Sequence, residues 1–375
     1  MGVAVSGEEA ELLRIGVIGA GAISAQYSQT LGRLPGLRVT AVADLDPGRA
    51  RRLAGEHPGA RAVAVPELLA AADVDVVLNL TVPAAHAQVA LAALAAGKHV
   101  YGEKPLAATV AEGRAILRAG ADAGLRVGCA PDTVLGPGVQ TARAVLERGD
   151  IGRPHAATAF MTTPGHERWH PDPDFYYRPG GGPLLDMGPY YLTALVQLLG
   201  PVARVTGVAS RPRPERTIGS GPRRGARVPV EVDTHVTGIL EHTSGALTTL
   251  MISFDVWAAR LPPIEVHGAT GSLSVPDPNH FDGEVEVFTA ASGQWQPVAP
   301  EAGFVKAGRG VGLADLAAAL RDGRPHRAGA EIGLHVLDVM ETLLRAAEEG
   351  RSLPVATGCE RPEAVAGLVD LESVP

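Results

Sequence analysis

The sequence predicts an α/β protein in two parts, a parallel-sheet domain followed by a strand-rich α/β domain. Three observations carry this. From Leu12 to Cys129 apolar strand-like runs alternate with helical runs, the pattern of a parallel sheet covered on both faces. At the start of that stretch a strand runs directly into Gly19-Ala-Gly-Ala-Ile-Ser24 and then into a helix. Beyond Arg204 short β-type segments dominate, and hairpin signals such as Thr243-Ser-Gly245 separate them.

In order, Leu12 to Ile18 reads as a buried strand and Ala25 to Arg33 as the helix after the glycine turn. Gly19 permits the tight turn, Gly21 lets backbone approach a pyrophosphate, and Ser24 is small enough for close helix–strand packing. Ala22 and Ile23 lie where the helix opens and its N–H groups face phosphates. Leu37 to Ala43 is the second strand, and Asp44 ends it, where a carboxylate accepts hydrogen bonds from the adenosine ribose. The competing role for Asp44 is to cap the helix starting near Pro47. A carboxylate there repels a 2′-phosphate, so NAD is expected over NADP; Arg49, Arg51 and Arg52 nearby weigh the other way.

The alternation continues with a short helix at Pro66 to Ala71, a strand at Val74 to Leu80 and a helix at Ala84 to Ala96. Thr81, Pro83 and His86 open that helix at a strand's carboxyl end, where backbone can line a cofactor, and His86 reads equally as a site residue or as a simple polar group at a helix start. His99 to Tyr101 is a strand delivering Glu103-Lys104-Pro105 to the same edge, and the proline keeps Lys104 out of helical geometry. Val110 to Ala123 is a helix and Leu125 to Cys129 a closing strand. The first domain is therefore expected over 1–130 and the second over 131–375.

In the second part, Gly138 to Arg148 reads as a helix, Pro154 to Thr162 as a strand and Leu184 to Leu199 as an amphipathic helix. Pro189 is tolerable only in a first turn, which moves the expected start toward Asp186. Asp186 and Tyr190 then share a face at i and i+4. The loop Pro164 to Pro179 is crowded with His166, Trp169, His170, Phe175, Tyr176 and Tyr177, a mixture suited to the C–H faces and hydroxyl edges of a carbohydrate. His166-Glu-Arg-Trp-His170 matches H-E-x-x-H, but prolines on both sides argue against the helix that would put two zinc ligands on one face, and no metal site is expected. Arg211 to Arg227 reads as a solvated loop, and Leu313 to Leu320 and Gly333 to Glu349 as helices.

Composition sets the bounds. A formal net charge of −8 argues against a general nucleic-acid binder. Two cysteines, Cys129 and Cys359, argue against a disulfide scaffold. Residues 1–11 are expected to be a disordered tail rather than a signal peptide, and no apolar run is long enough to span a bilayer. A cytoplasmic location is the default expectation.

Gly19-Ala-Gly-Ala-Ile-Ser24, Asp44, Glu103-Lys104-Pro105, Gly180-Gly-Gly-Pro-Leu-Leu-Asp-Met-Gly188 and Gly323-Arg-Pro-His326 together resemble the Gfo/Idh/MocA family of glucose–fructose oxidoreductases and inositol dehydrogenases. The resemblance implies a Rossmann domain, then an α/β domain whose large, mostly antiparallel sheet often forms subunit contacts. It implies a nicotinamide cofactor, a sugar, cyclitol or glycoside substrate and a homo-oligomer, dimer or tetramer, with no nucleic-acid or membrane partner. Asp186 matches the family's active-site aspartate, while Tyr190 stands where a histidine is usual. Expected catalytic residues are Lys104 at the centre of the proton network, Asp186 orienting it or a hydroxyl, and Tyr190 relaying a proton. Substrate contacts are expected from Lys104, Asp132, Trp169, His170, Asp186 and Tyr190, and cofactor contacts include Glu103, Lys104 and Pro105. The competing reading is a non-catalytic regulator that binds cofactor and sugar on the same fold.

Overall fold

The computed structural model describes residues 12–373, so the expected tail at 1–11 lies outside the described residues. The chain forms two compact units. One takes Met1–Leu135, Phe304–Ala330 and Val365–Pro375, and the other Gly136–Gly303 and Glu331–Ala364. The expected division at 130/131 treats each domain as continuous, whereas 304–330 and 365–375 return to the first unit.

The first unit opens with β1 (Leu13–Ile18), α1 (Ser24–Leu31), β2 (Leu37–Ala43), α2 (Pro47–Gly55), β3 (Arg61–Ala62) and α3 (Val65–Ala70). It continues with β4 (Val76–Asn79), α4 (Pro83–Ala95), β5 (His99–Gly102), α5 (Val110–Ala123) and β6 (Val127–Cys129). These strands make one parallel sheet in the order β3-β2-β1-β4-β5-β6, the doubly wound arrangement in which ligands bind beyond the strands' carboxyl ends. The sheet is covered on both faces, which is why β4 is buried at every position and the strands read as apolar runs rather than alternating ones. The helices start where the sequence supplies a device. Thr109 and Glu112 form a capping box on α5, while Pro83 occupies the first turn of α4.

The second unit begins with α6 (Pro137–Arg148), β7 (Pro154–Thr162), α7 (Pro183–Leu199), β8 (Val202–Ser210), β9 (Glu215–Thr217), β10 (Arg227–Pro229), β11 (His235–His242) and β12 (Leu247–Ser253). β13 (Ile264–Gly268), β14 (Gly271–Val275), β15 (Val285–Thr289) and β16 (Trp295–Val298) follow. After β17 (Gly303–Val305) and α8 (Val311–Asp322) come α9 (Ala330–Glu349), β18 (Leu353–Pro354) and β19 (Leu368–Asp370). Nine strands form a sheet in the order β16-β15-β14-β13-β7-β12-β11-β8-β18, antiparallel except for the β7–β12 pair. α6, α7 and α9 cover one face, where Val205, Val236, Leu250, Ala159 and Val266 are buried. Val208, Ile239 and Leu247 stand exposed on the other, where Val208 pairs with Thr237, Ile239 with Thr206 and Thr249, and Leu247 with Glu241.

Two expectations about this unit are corrected. α7 is already helical at Pro183, with the Asp186 N–H on the Gly182 carbonyl at 3.1 Å, so Pro189 sits inside the helix rather than in its first turn. The stretch Arg211 to Arg227 is not simply a solvated loop. β9 pairs with β10, and Arg216 on β9 is buried because it answers two acidic side chains.

Candidate functional site

At the end of β1, Gly19 takes φ +101°, and a Cβ there would lie 2.6 Å from the Leu80 carbonyl carbon. Only glycine fits that approach. Gly21 faces open space, with nothing within 4 Å of where its Cβ would be. Ala20, Gly21, Ala22, Ser24 and Ala25 line one wall of a cleft of about 630 Å³, and Arg49, Arg52, Leu53 and Glu56 line the other. The Asp44 carboxylate accepts from the Ala20 N–H at 2.6 Å and the Asp46 N–H at 2.8 Å, which ties the end of β2 to the glycine turn. Asp46, not Asp44, caps α2, accepting from the Gly48 and Arg49 N–H groups. Leu45 and Val82 hold apolar side chains out to solvent just past β2 and β4, and neither was expected at the site from sequence. A backbone cradle at a helix start and a carboxylate at the end of the second strand suit the pyrophosphate and ribose of a dinucleotide, and the two guanidinium groups lie on the opposite wall.

β5 delivers Glu103-Lys104-Pro105 as expected, and the Lys104–Pro105 bond is cis. Glu103 is buried, accepting from the Tyr27 hydroxyl at 2.7 Å and the Lys104 N–H at 3.0 Å. Its carboxylate therefore holds the backbone of the lysine turn. Burial, reinforced by Glu103, pushes the Tyr27 phenol well above its ordinary range, so the phenol stays protonated and donates.

Two of the expected site residues are bonded by backbone. His86 is buried, with Nδ1 on the Pro105 carbonyl at 2.7 Å and Nε2 on the Thr81 carbonyl at 3.0 Å. Both ring nitrogens are occupied by backbone, so His86 joins the α4 start to the lysine turn. Asp132 is fully buried, its Oδ2 accepting from the Gly310 N–H at 2.8 Å and the Gly312 N–H at 3.0 Å. Burial pushes its carboxyl up against the opposing pull of those two amides. The returning chain around 310 lies against it.

In the second unit Asp186 lies half-buried in the first turn of α7, and Tyr190, one turn on, is buried. His166 Nε2 stands 3.1 Å from Asp186 Oδ2. The His166 ring is set among Trp169 (5.2 Å between centroids), Tyr176 (4.8 Å) and Phe254 (4.3 Å). From there the rings run outward through His170 to Phe175, and Trp169 is 59% exposed. The H-E-x-x-H stretch does not form a zinc helix. His166–Arg168 is a single 3-10 turn, and His170 accepts from the Asp172 N–H at 3.1 Å while His166 turns to Asp186. Among the described residues no three His, Cys, Asp or Glu side chains are grouped to hold a metal ion.

Arg216 fixes this corner from behind. Its side chain is 1% exposed and reaches Asp255 at 2.7 Å, Glu167 at 3.4 Å and the Phe254 carbonyl at 3.0 Å. Glu167 also accepts from the Tyr177 hydroxyl. Neither Arg216 nor the His166–Asp186 pair was legible as a unit in the sequence, since the partners are separated by 20 to 49 positions. The one available signal was the density of histidine and aromatic residues before the Gly180-Gly-Gly-Pro turn.

Among the described residues no helix is long and apolar enough to cross a membrane. Residues 13–130 match the profile of an oxidoreductase family with an NAD-binding Rossmann fold, and residues 139–274 that of the GFO/IDH/MocA C-terminal domain. The trans-1,2-dihydrobenzene-1,2-diol dehydrogenase of Bos taurus is 30% identical over 71% of this chain and 75% of its own length. An inositol 2-dehydrogenase/D-chiro-inositol 3-dehydrogenase of Shouchella clausii is 45% identical, but over 26% of this chain and 29% of its own. Among solved structures, an NAD binding oxidoreductase from Klebsiella pneumoniae superposes with a TM-score of 0.80 at 24% identity, over 92% of this chain and all of that one. A levoglucosan dehydrogenase in complex with NADH and levoglucosan gives 0.78 at 22% identity, over 92% and 99%. The chain belongs to the Gfo/Idh/MocA family of oxidoreductases and carries that family's NAD(P)-binding Rossmann domain.

Proposed function

We propose that the protein is an NAD-dependent dehydrogenase or reductase acting on a ring carbinol or carbonyl carbon of a sugar, cyclitol or glycoside. The observation that carries the substrate class is the half-buried Asp186 at the inner end of a ladder of aromatic rings, of which Trp169 and Phe175 are exposed. A saturated ring with hydroxyl edges presents C–H bonds to such a wall and hydroxyls to such a carboxylate. Relatives named for inositol, levoglucosan and a cyclic diol support the same class.

The glycine turn, the Asp44 carboxylate and Thr81 and Pro83 would hold the dinucleotide, with Asp44 favouring NAD. When bound, the nicotinamide supplies hydride acceptance and return. Lys104 is assigned the reacting oxygen. As an ammonium it stabilises charge developing there, and as an amine it accepts the hydroxyl proton. Glu103 holds the backbone from which that lysine projects. Asp186 is assigned to orient a substrate hydroxyl, and the Tyr190 phenol to relay or donate a proton. Trp169 and His170 form the outer wall.

The test is production of NADH from NAD+ with a panel including levoglucosan and myo-inositol, repeated with Lys104→Ala. NADH affinity should stay near that of the parent while kcat falls on the order of 10²–10⁴-fold, the range for a positioned acid–base group. A Lys104→Ala variant with parental turnover places the chemistry elsewhere.

A further inference from the structure

We propose that His166 is a positioning residue for this chemistry. Its Nε2–H holds the Asp186 carboxylate in the orientation from which that carboxylate meets the substrate hydroxyl. The proposal rests on the assignment of Asp186 to the substrate in the preceding subsection.

A carboxylate only accepts, so the 3.1 Å contact is made by a ring nitrogen that carries a proton. The contact joins two elements 20 residues apart, and the turn that makes it is fixed from several sides. Gly165 takes φ +112°, and any side chain there would run into the Glu167 carboxylate folded back over it. Glu167 in turn is held by the Tyr177 hydroxyl, by Arg216 and, through its carbonyl, by the Gly219 N–H at 2.8 Å. The His166 carbonyl accepts from the Trp169 and His170 N–H groups at 3.2 and 2.9 Å. With the backbone fixed on both sides and three rings around the imidazole, the direction of Nε2 is set before any ligand arrives.

Buried histidines elsewhere in the same unit do something different. His242 bonds the Gly200 carbonyl and the Thr248 hydroxyl, and His335 bonds the Val202 N–H and the Thr357 hydroxyl, partners that tie scaffold together. His166 spends its contact on a carboxylate that remains partly open, the two side chains being 11% and 20% exposed. A packing histidine has no need of a charged partner at the surface, whereas an orienting one does. Misplacing a reacting group by about 1 Å costs on the order of 10²-fold in rate, which is the scale on which such a contact matters.

Two substitutions separate the roles. His166→Gln keeps an N–H donor near the place of Nε2, and His166→Phe keeps the ring and deletes the donor. On the panel substrate that the parent oxidises, Phe should lower kcat on the order of 10–10²-fold with little change in KM, and Gln should restore most of it. NADH affinity and melting temperature should stay near parental in both. Independently of turnover, ¹⁵N-histidine spectra of the parent should show His166 protonated at Nε2. Parental kcat in both variants overturns the proposal and makes His166 a wall. Equal losses in both, with lowered melting temperatures, overturn it in favour of a purely structural role, and protonation at Nδ1 alone overturns the pairing itself. A parent that oxidises no panel member, in contrast, overturns the sugar and cyclitol assignment of the preceding subsection and this role with it, whatever the spectra show.

Discussion

Gly19 and Gly21 stand two residues apart, yet a side chain added at each is expected to do opposite things. At Gly19 the backbone is left-handed and a Cβ would meet the Leu80 backbone at 2.6 Å, which cannot swing aside as a flexible side chain would. The conformational cost for a non-glycine and the overpacking together amount to roughly 2–5 kcal/mol, so Gly19→Ala should lower stability sharply. Gly21 has nothing within 4 Å, so Gly21→Val should fold at no cost or with a gain of about 0.4–1 kcal/mol from the stiffer unfolded chain. What the valine does fill is the cradle where backbone would approach a pyrophosphate. Losing one charge-assisted N–H contact is worth about 1.5–3 kcal/mol, or roughly 10- to 150-fold in NADH Kd. Scanning calorimetry and NADH fluorescence titration read the two effects separately. A Gly21→Val protein that binds NADH with parental Kd would refute the placement of the dinucleotide on this turn.

Asp44→Ser should raise the use of NADP relative to NAD, since it removes the carboxylate and leaves Arg49 and Arg52 lining the cleft; tighter NADP than NAD binding by the parent would sink the ribose assignment. Arg216→Met leaves Glu167 and Asp255 without their buried partner, and urea unfolding should show a loss of roughly 3–5 kcal/mol. The uncovered sheet face with Val208, Ile239 and Leu247 predicts self-association, and Ile239→Lys should weaken it; a parent that scatters light as a monomer at micromolar concentration refutes this. Burial pushes the His242 imidazole down to about 4 from its ordinary 6.5. The unfolded chain therefore binds a proton that the folded one refuses, so this contribution is intact above pH 6.5 and is lost as pH falls toward 4. At about 1.4 kcal/mol per pH unit the full loss is roughly 3 kcal/mol. Urea midpoints at pH 7 and pH 4.5 should differ less in His242→Gln than in the parent, and an equal difference would refute the assignment.

The first unit was largely legible because its logic is local. The run Leu37 to Ala43 is a strand in both sequence and structure, and Val110 to Ala123 is a helix in both, since capping and apolar runs act within a few residues. The glycine turn was legible for the same reason. A positive φ at Gly19 and open space at Gly21 follow from one short stretch. The backbone partners of His86 and Asp132 were not legible because tertiary structure sets them. A histidine opening a helix looks like a ligand until the carbonyls of Thr81 and Pro105 close on it. An aspartate just past a strand looks exposed until a segment 178 residues later lays its N–H groups against it.

The second unit shows how a correct local signal can carry the wrong chemistry. His166-Glu-Arg-Trp-His170 was singled out by spacing, and spacing alone speaks of one helical face and a metal. The prolines around it argued against the helix, but nothing local said what the residues do instead. That depended on Arg216, which looked like one cation among many in an arginine-rich loop and is buried against Glu167 and Asp255. Arg216 pairs with Glu167, and His166, the residue before Glu167, meets Asp186 of α7. A buried charge must find its partner, and here that partner lies 49 positions away, beyond the reach of any local pattern.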